Sequence, residues 1–285
     1  MERLDIVLVQ RGLVESRLQA KRLILAGAIK VNKNSLVKPG QRISPNAAIE
    51  VEQPPKYVSR GGLKLEKALQ DFEITVRNRV AIDVGASTGG FTDCLLQHGA
   101  DFVYAVDVGY GQLAWKLRKS PRVHVLDKTN IRHIDQHLFS HPLDIAVIDV
   151  SFISLRKVIP VVIERLAVPE IIVLVKPQFE AGRVHVKKGG IVDDPSVHKE
   201  TLVNLIDFVR KSCSVIPMGL TFSPIHRDIG NIEYLLWLQK SATVKQSESE
   251  LEILSSAEID SVSNIVNAAH RAFHANGVEN SEQKS

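Results

Sequence analysis

Six short, largely apolar runs punctuate the middle of the chain, at 80–84, 102–106, 123–126, 143–148, 171–175 and 234–238. Runs of that length, bounded by glycine or polar breaks, read as strands buried on both faces. One helical stretch, closing near Phe72, precedes them, and another over 91–98 lies between the first two. Strands alternating with helices predict an α/β unit built on a parallel sheet. No run reaches the roughly 18 apolar residues of a membrane-spanning helix.

The first 58 residues follow a different pattern. Leu4, Val7, Leu8 and Arg11 share a helical face, and Gly12 supplies a stop. Ser16 is placed to cap a second helix running to Ala26, which Gly27 closes. A β-hairpin is expected next: residues 28–31, a turn at Asn32-Lys33-Asn34, and a second extended stretch before Pro39-Gly40. At the other end, residues 241–256 are rich in Ser, Glu and Gln and read as a linker. Ile259, Val262, Ile265, Val266, Ala269 and Phe273 then recur at helical spacing, predicting an amphipathic helix that docks on this chain or on a partner. The divisions expected are therefore 1–58, 59–240 and 241–285.

Composition changes the picture in one respect. Over the 285 residues, 44% are hydrophobic and 24% charged, values ordinary for a globular protein. The net charge of +4 hides a gradient, because residues 1–60 carry 11 Lys/Arg against 5 Asp/Glu and residues 241–285 carry 3 against 7. A basic module beside a nearly neutral one suggests a polyanionic partner, or simply a solvated basic face. Arg3, Arg17, Lys21, Arg22 and Lys30 are the cations that could meet a phosphate backbone, with Arg17 and Lys21 four apart on one face. Met1-Glu2-Arg3-Leu4-Asp5 lacks the basic start and apolar stretch of an export signal, and two cysteines, Cys94 and Cys213, make no disulfide framework. A reduced, cytoplasmic setting is the expectation. No metal site is expected from the ten histidines.

The N-terminal wording is more specific than its charge. Arg3-Leu4-Asp5, Arg11-Gly12-Leu13, Ser16-Arg17, Ala20, Gly27 and Val31-Asn32 resemble the alpha-L RNA-binding motif shared with small-subunit ribosomal protein four. Lys33 stands where that family often turns with glycine. The resemblance implies a small α+β RNA-binding domain, with RNA rather than DNA as partner.

The strand at 80–84 ends in Gly85-Ala86-Ser87-Thr88-Gly89-Gly90 and then a helix. Small side chains there let backbone N–H groups approach a nucleotide-like ligand at the helix N-terminus. The string is neither G-x-G-x-x-G, since residue 87 is Ser, nor a phosphate loop, since Gly-Lys-Ser/Thr is missing. Asp83 beside the turn suits a ligand bearing an amino group and a sulfonium better than a pyrophosphate. Asp107, about 20 residues beyond the turn, is placed for ribose hydroxyls. Asp83-Val84-Gly85 with Gly89-Gly90-Phe91 resembles the S-adenosylmethionine site of class I methyltransferases. That resemblance implies Asp83, Gly85, Ser87, Gly89, Gly90 and Phe91 around the donor, Asp107 on its ribose and Asp127 on its adenine.

Polar residues after later strands narrow the chemistry. Asp149 follows one apolar strand and Lys176 another, so both should face the crevice at the carboxyl ends of the sheet. Lys176 reads either as half of a salt bridge tying two loops or as a desolvated base. Lys64, expected just before a helix, and Glu233, at the head of the last strand, each read alone as solvated charges. Together, Lys64, Asp149, Lys176 and Glu233 reproduce in order the Lys-Asp-Lys-Glu set of the FtsJ-like ribose 2'-O-methyltransferases.

With the strings at 58–65, 149–155, 175–180 and 188–192, the chain over about 2–240 resembles the TlyA (hemolysin A) family of ribosomal RNA methyltransferases. The fold implied is a class I methyltransferase, Rossmann-like and mostly parallel with an antiparallel last strand. The activity implied is transfer of a methyl group to a cytidine 2'-oxygen in ribosomal RNA or ribosomal subunits. Lys176 would be the base, Asp149 and Glu233 would orient it and the hydroxyl, and Lys64 would hold the substrate and stabilise negative charge developing on the oxygen. Arg60 joins the RNA-facing cations, and the basic loop 183–190 is either a solvated loop or an RNA-gripping flap. Within the family, extra residues at the termini go with action on both subunits. The abrupt start and the long tail here point opposite ways, and the large subunit alone is favoured. A non-catalytic RNA-binding protein would have little use for the four charged residues, and a pseudouridine synthase would leave the glycine turn unexplained. A membrane-lytic hemolysin lacks its spanning or cationic amphipathic segment.

Overall fold

The computed structural model describes residues 1–282 apart from 26, 27, 35, 36, 45, 52–54, 214, 226–229 and 242–253, and the side chains of Arg22 and 274–282. Gly27, Arg22 and most of the expected linker at 241–256 lie outside the described residues. The chain divides into two compact units, Met1–Lys56 and Tyr57–Ser285.

In the first unit, β1 (Glu2–Arg3), α1 (Leu4–Gln10), α2 (Arg17–Leu25), β2 (Ile29–Val31), β3 (Arg42–Ile43) and β4 (Ile49–Val51) follow in order. Leu4, Val7, Leu8, Ala20 and Ile24 share one small core because their 3- and 4-residue spacings put them on facing helical stripes. Gly12, at φ +66°, ends α1 in the left-handed conformation that glycine tolerates. The Ser16 hydroxyl accepts the Gln19 N–H at 3.2 Å and caps α2. The expected hairpin is corrected: β2 pairs with β4, at Ile29 to Val51, and among the described residues not with the stretch before Pro39, of which 35 and 36 lie outside them. The turn itself is present, since Asn32 and Lys33 have φ of 50° and 67° and Val31 and Asn34 exchange backbone bonds. Asn32 then ties that turn to Ala48, donating its N–H at 2.9 Å and accepting at Oδ1 at 3.0 Å. The partner strand is therefore chosen by a contact 16 residues away.

In the second unit come α3 (Gly61–Asp71), β5 (Val80–Val84), α4 (Gly90–Gln97), β6 (Phe102–Val106), α5 (Trp115–Arg118), β7 (Val123–Leu126), β8 (Ile145–Ile148), β9 (Glu170–Val175), α6 (Pro177–Glu180), α7 (Pro195–Cys213), β10 (Val215–Phe222), β11 (Tyr234–Lys240) and α8 (Ser256–Glu282). A seven-stranded sheet has the order β10-β11-β9-β8-β5-β6-β7. The five strands from β5 to β9 run parallel, and β11 is antiparallel to both of its neighbours. Alternate strand residues feed two cores. Ala81, Val103, Val147, Ile172 and Leu235 pack with Leu65, Leu69 and Leu95 of α3 and α4. Ile82, Tyr104, Ile148, Val173 and Leu236 pack with α7 and α8 on the other face. Burial on both faces is why these strands read as continuous apolar runs.

The tail helix docks on this chain. Val262, Val266 and Ala269 are buried in the second core, and Glu258 pairs with Arg210 of α7. Cys94 and Cys213 are buried and form no disulfide, and they serve as packing residues.

Candidate active site

Sheet topology brings the charged residues together. Asp149 lies just past β8, and Lys176 just past the adjacent parallel β9. Because β11 runs the other way and pairs Tyr234 with Val175, its head delivers Glu233 to the same edge. Lys64 reaches that edge from inside α3, not from before it as the sequence suggested.

The glycine turn forms the neighbouring wall. Gly85 sits at φ +87°, where a Cβ would come within 2.4 Å of the Asp149 carbonyl oxygen. A side chain there is excluded by conformation and by space. At Gly90 a Cβ would meet the Gly62 nitrogen at 2.9 Å, so α4 begins hard against α3. A cavity of about 740 Å³ opens between this turn and the charged residues, lined by Gly85, Ser87, Gly90, Phe91, Asp149, Lys176 and Glu233 among others. Its size and its bare backbone wall fit a nucleoside-sized donor.

Two ion pairs face this cavity. Lys176, 9% exposed, places Nζ 2.6 Å from Asp149 Oδ1 and donates to the Ser151 hydroxyl at 2.9 Å. The 2.6 Å contact has ion-pair rather than hydrogen-bond angles, since that oxygen makes no hydrogen bond. Lys64 pairs with Glu233. The expectation that Glu233 orients Lys176 is thus corrected: Asp149 and Ser151 hold Lys176, and Glu233 holds the other lysine.

Three carboxylates expected at the donor are already engaged by the chain. Asp83, 1% exposed, accepts the Thr92 N–H at 2.9 Å and the Thr92 hydroxyl at 2.6 Å, fixing the first turn of α4. Burial pushes its carboxyl up to about 7, an effect reinforced by the negative charges of Asp149 and Asp107. Asp107 accepts the Ser87 and Gly109 N–H groups, each at 2.7 Å, and so ties the glycine turn to the loop after β6. Asp127 accepts from Arg118 at 2.8 Å and from the Gly111 N–H at 3.2 Å. None of the three is among the residues lining the cavity, and neither is Gly89, which turns toward Leu113 and Leu117.

Other side chains had no role assigned from sequence. Phe152 is 91% exposed at φ +63°, lines the cavity, and stands 5.1 Å from Phe179. Glu180 accepts the Ser154 hydroxyl at 2.7 Å and the Leu155 N–H at 2.6 Å, and so fixes the loop that carries Ser151 and Phe152. Burial raises its carboxyl above the ordinary range. Both residues lie in strings singled out at 149–155 and 175–180, but only tertiary pairing reveals what each one holds. The loop 183–190 does reach the cavity, through Val186, Gly189 and Gly190. Arg60 also lines it.

In the first unit, Arg3 and Arg17 have a partner inside the unit. Each reaches the fully buried Asp5 at 3.0 Å while remaining 43% and 55% exposed. The Arg3 hydrogen bond, aided by Arg17, holds the Asp5 carboxyl down to about 2 against the cost of burial. Lys21 is exposed, and Lys30 lies half-buried on β2.

Comparison with known proteins places both units. Residues 57–240 match the FtsJ-like methyltransferase family and residues 2–49 the S4 domain. The YqxC protein of Bacillus subtilis is 53% identical over 241 residues, covering 83% of this chain and 85% of that one. The 16S/23S rRNA (cytidine-2'-O)-methyltransferase TlyA of Mycobacterium tuberculosis is 42% identical over 255 residues, 88% of this chain and 94% of its own. A solved structure from Streptococcus thermophilus is 40% identical, covers 96% of this chain and 98% of its own, and superposes with a TM-score of 0.70. The cavity, its two lysine–carboxylate pairs and these matches agree: the chain belongs to the FtsJ-like methyltransferase family, carries an S4 domain ahead of the catalytic unit, and takes S-adenosylmethionine as its methyl donor.

Proposed function

We propose that this enzyme methylates the ribose 2'-oxygen of a cytidine in ribosomal RNA, with the large subunit as its target. The observation that carries the reading is the pair of buried-edge lysines, each matched to a carboxylate, facing one cavity with the glycine turn. Support for the substrate comes from the relatives, among them the M. tuberculosis protein named for cytidine-2'-O methylation of 16S and 23S rRNA.

S-adenosylmethionine, when bound, supplies an electrophilic methyl group on a sulfonium. Gly85, Ser87, Gly90 and Phe91 would hold it, with Asp83, Asp107 and Asp127 supporting the loops around it. A ribose hydroxyl is a poor nucleophile at neutral pH, so its proton must leave as the new bond forms. Lys176 is the group placed to accept that proton at Nζ, and Asp149 at 2.6 Å stabilises the ammonium that results. Ser151 keeps Nζ aimed at the cavity. Lys64, steadied by Glu233, holds the ribose oxygen and balances the negative charge that grows on it. Phe152, an exposed aromatic face at the cavity, offers a stacking platform for the target base.

The test is methyl transfer from labelled donor to purified ribosomal subunits and free ribosomal RNA, with the product nucleotide mapped. 2'-O-Methylcytidine in the large-subunit RNA is expected. Label on a base would refute the 2'-oxygen reading and leave a base methyltransferase, and no label on any RNA while the donor binds would refute ribosomal RNA as the substrate.

A further inference from the structure

A buried polar network joins the tail helix to a loop that lines the cavity. Asn231, two residues before Glu233, grips the loop 183–192 with both ends of its amide. Its Nδ2 donates to the Gly190 carbonyl at 2.8 Å, and its Oδ1 accepts the Val192 N–H at 2.6 Å. The Val192 carbonyl meets His198 Nε2 at 2.8 Å. A carbonyl only accepts, so Nε2 carries the proton and Nδ1 is the acceptor. That Nδ1 faces the Tyr234 hydroxyl at 2.9 Å and Nε2 of His270, on α8, at 3.1 Å.

The three rings are 0%, 0% and 8% exposed, inside a core built mostly of Val, Leu and Ile. A satisfied polar network in such a core specifies one arrangement, where apolar packing would serve stability as well. Burial holds the His198 imidazole below its ordinary range, in the neutral form that this bonding needs, although Asp193 and Asp194 pull the other way. The network has two outputs. One is the loop whose Gly189, Gly190 and Ile191 line the cavity, and the other is Tyr234, the residue after Glu233.

We propose that His198 is a positioning residue of the methyltransferase site: backed by His270 of α8, it fixes Val192 of the cavity loop and the Tyr234 hydroxyl beside Glu233. Helix α8, which lies beyond the residues 57–240 matched by the FtsJ-like family, is then a working part of the site. This rests on the reading of the Lys64–Glu233 pair given above.

Full-length His270→Leu, His270→Gln, Tyr234→Phe and Asn231→Ala variants test it, with melting temperature, donor affinity, and kcat and KM for ribosomal RNA measured on each. Misplacement of a reacting group by about 1 Å can cost on the order of 100-fold. His270→Leu should lose about that much in kcat/KM through both parameters, with donor affinity unchanged. His270→Gln, which keeps an N–H donor, should recover most of the loss. Should His270→Leu fail to fold, Tyr234→Phe removes one hydroxyl and should shift kcat in the same direction. Parental kcat/KM in a folded His270→Leu, or in both Tyr234→Phe and Asn231→Ala, overturns the proposal. So does a loss in which donor affinity falls in step with rate. Glu233→Gln at parental activity would instead refute the Lys64–Glu233 reading, and His270→Leu read beside it keeps the two failures apart.

Discussion

Two buried aspartates sit in opposite environments and should titrate with opposite sign. The Asp83 carboxyl is raised to about 7 from 3.8, so the folded protein holds that proton more tightly than the unfolded chain. Its stabilising effect is whole below 3.8 and is lost as pH rises through about 7. The melting temperature of Asp83→Asn should therefore depend less on pH across that window than the parent's, and matching profiles would contradict it. Asp5 is held down to about 2 from 3.8, so its contribution is present above 3.8 and is lost as pH falls toward 2. Phe152→Ala tests the stacking platform, since stacking one base is worth about 1–3 kcal/mol. KM for RNA should rise about 5- to 160-fold with donor affinity unchanged, and an unchanged KM would remove Phe152 from the substrate site.

At the scale of elements, the close approach of the β5 and β8 ends is what the glycine turn makes possible. Gly85→Ala puts a Cβ 2.4 Å from the Asp149 carbonyl in a left-handed backbone. Calorimetry should show donor binding lost or greatly weakened, and parental affinity would mean that the turn tolerates a side chain. The strands themselves were legible in the sequence. Those at 80–84 and 102–106 appear at those bounds because each is buried on both faces and reads as an apolar run, and the edge strand 123–126 is marked by its buried ends, Val123 and Leu126, although His124 between them is exposed. The partner of β2 was not legible, since β3 and β4 are two and three residues long and only Asn32 reaching Ala48 selects between them. The four charged residues were visible in order along the chain. Which carboxylate serves which lysine was not, because it follows from β11 running antiparallel beside β9.

At the scale of the whole molecule, the chain combines an S4 domain with a catalytic unit, and the first 60 residues, with 11 Lys/Arg against 5 Asp/Glu, carry the largest excess of positive over negative charge. Affinity for RNA gained by neutralising phosphates falls with salt, with a log–log slope of roughly −0.7 to −0.9 per phosphate contact. Lys21→Ala, which removes an exposed cation from α2, should flatten that slope by about one contact and leave donor affinity alone. A slope unchanged in a binding titration across salt would take Lys21 out of the interface. Among the described residues no helix is long and apolar enough to cross a membrane.

The central claim is that Lys176 takes the 2'-hydroxyl proton. Single-turnover methyl transfer to ribosomal RNA by Lys176→Ala, alongside donor affinity on the same preparation, tests it most directly. General-base catalysis contributes about 10²–10⁴-fold, so the rate should fall by at least about 100-fold while the donor binds as in the parent. Turnover near the parental rate would mean that the proton leaves by another route, and that the Lys176–Asp149 pair is structural.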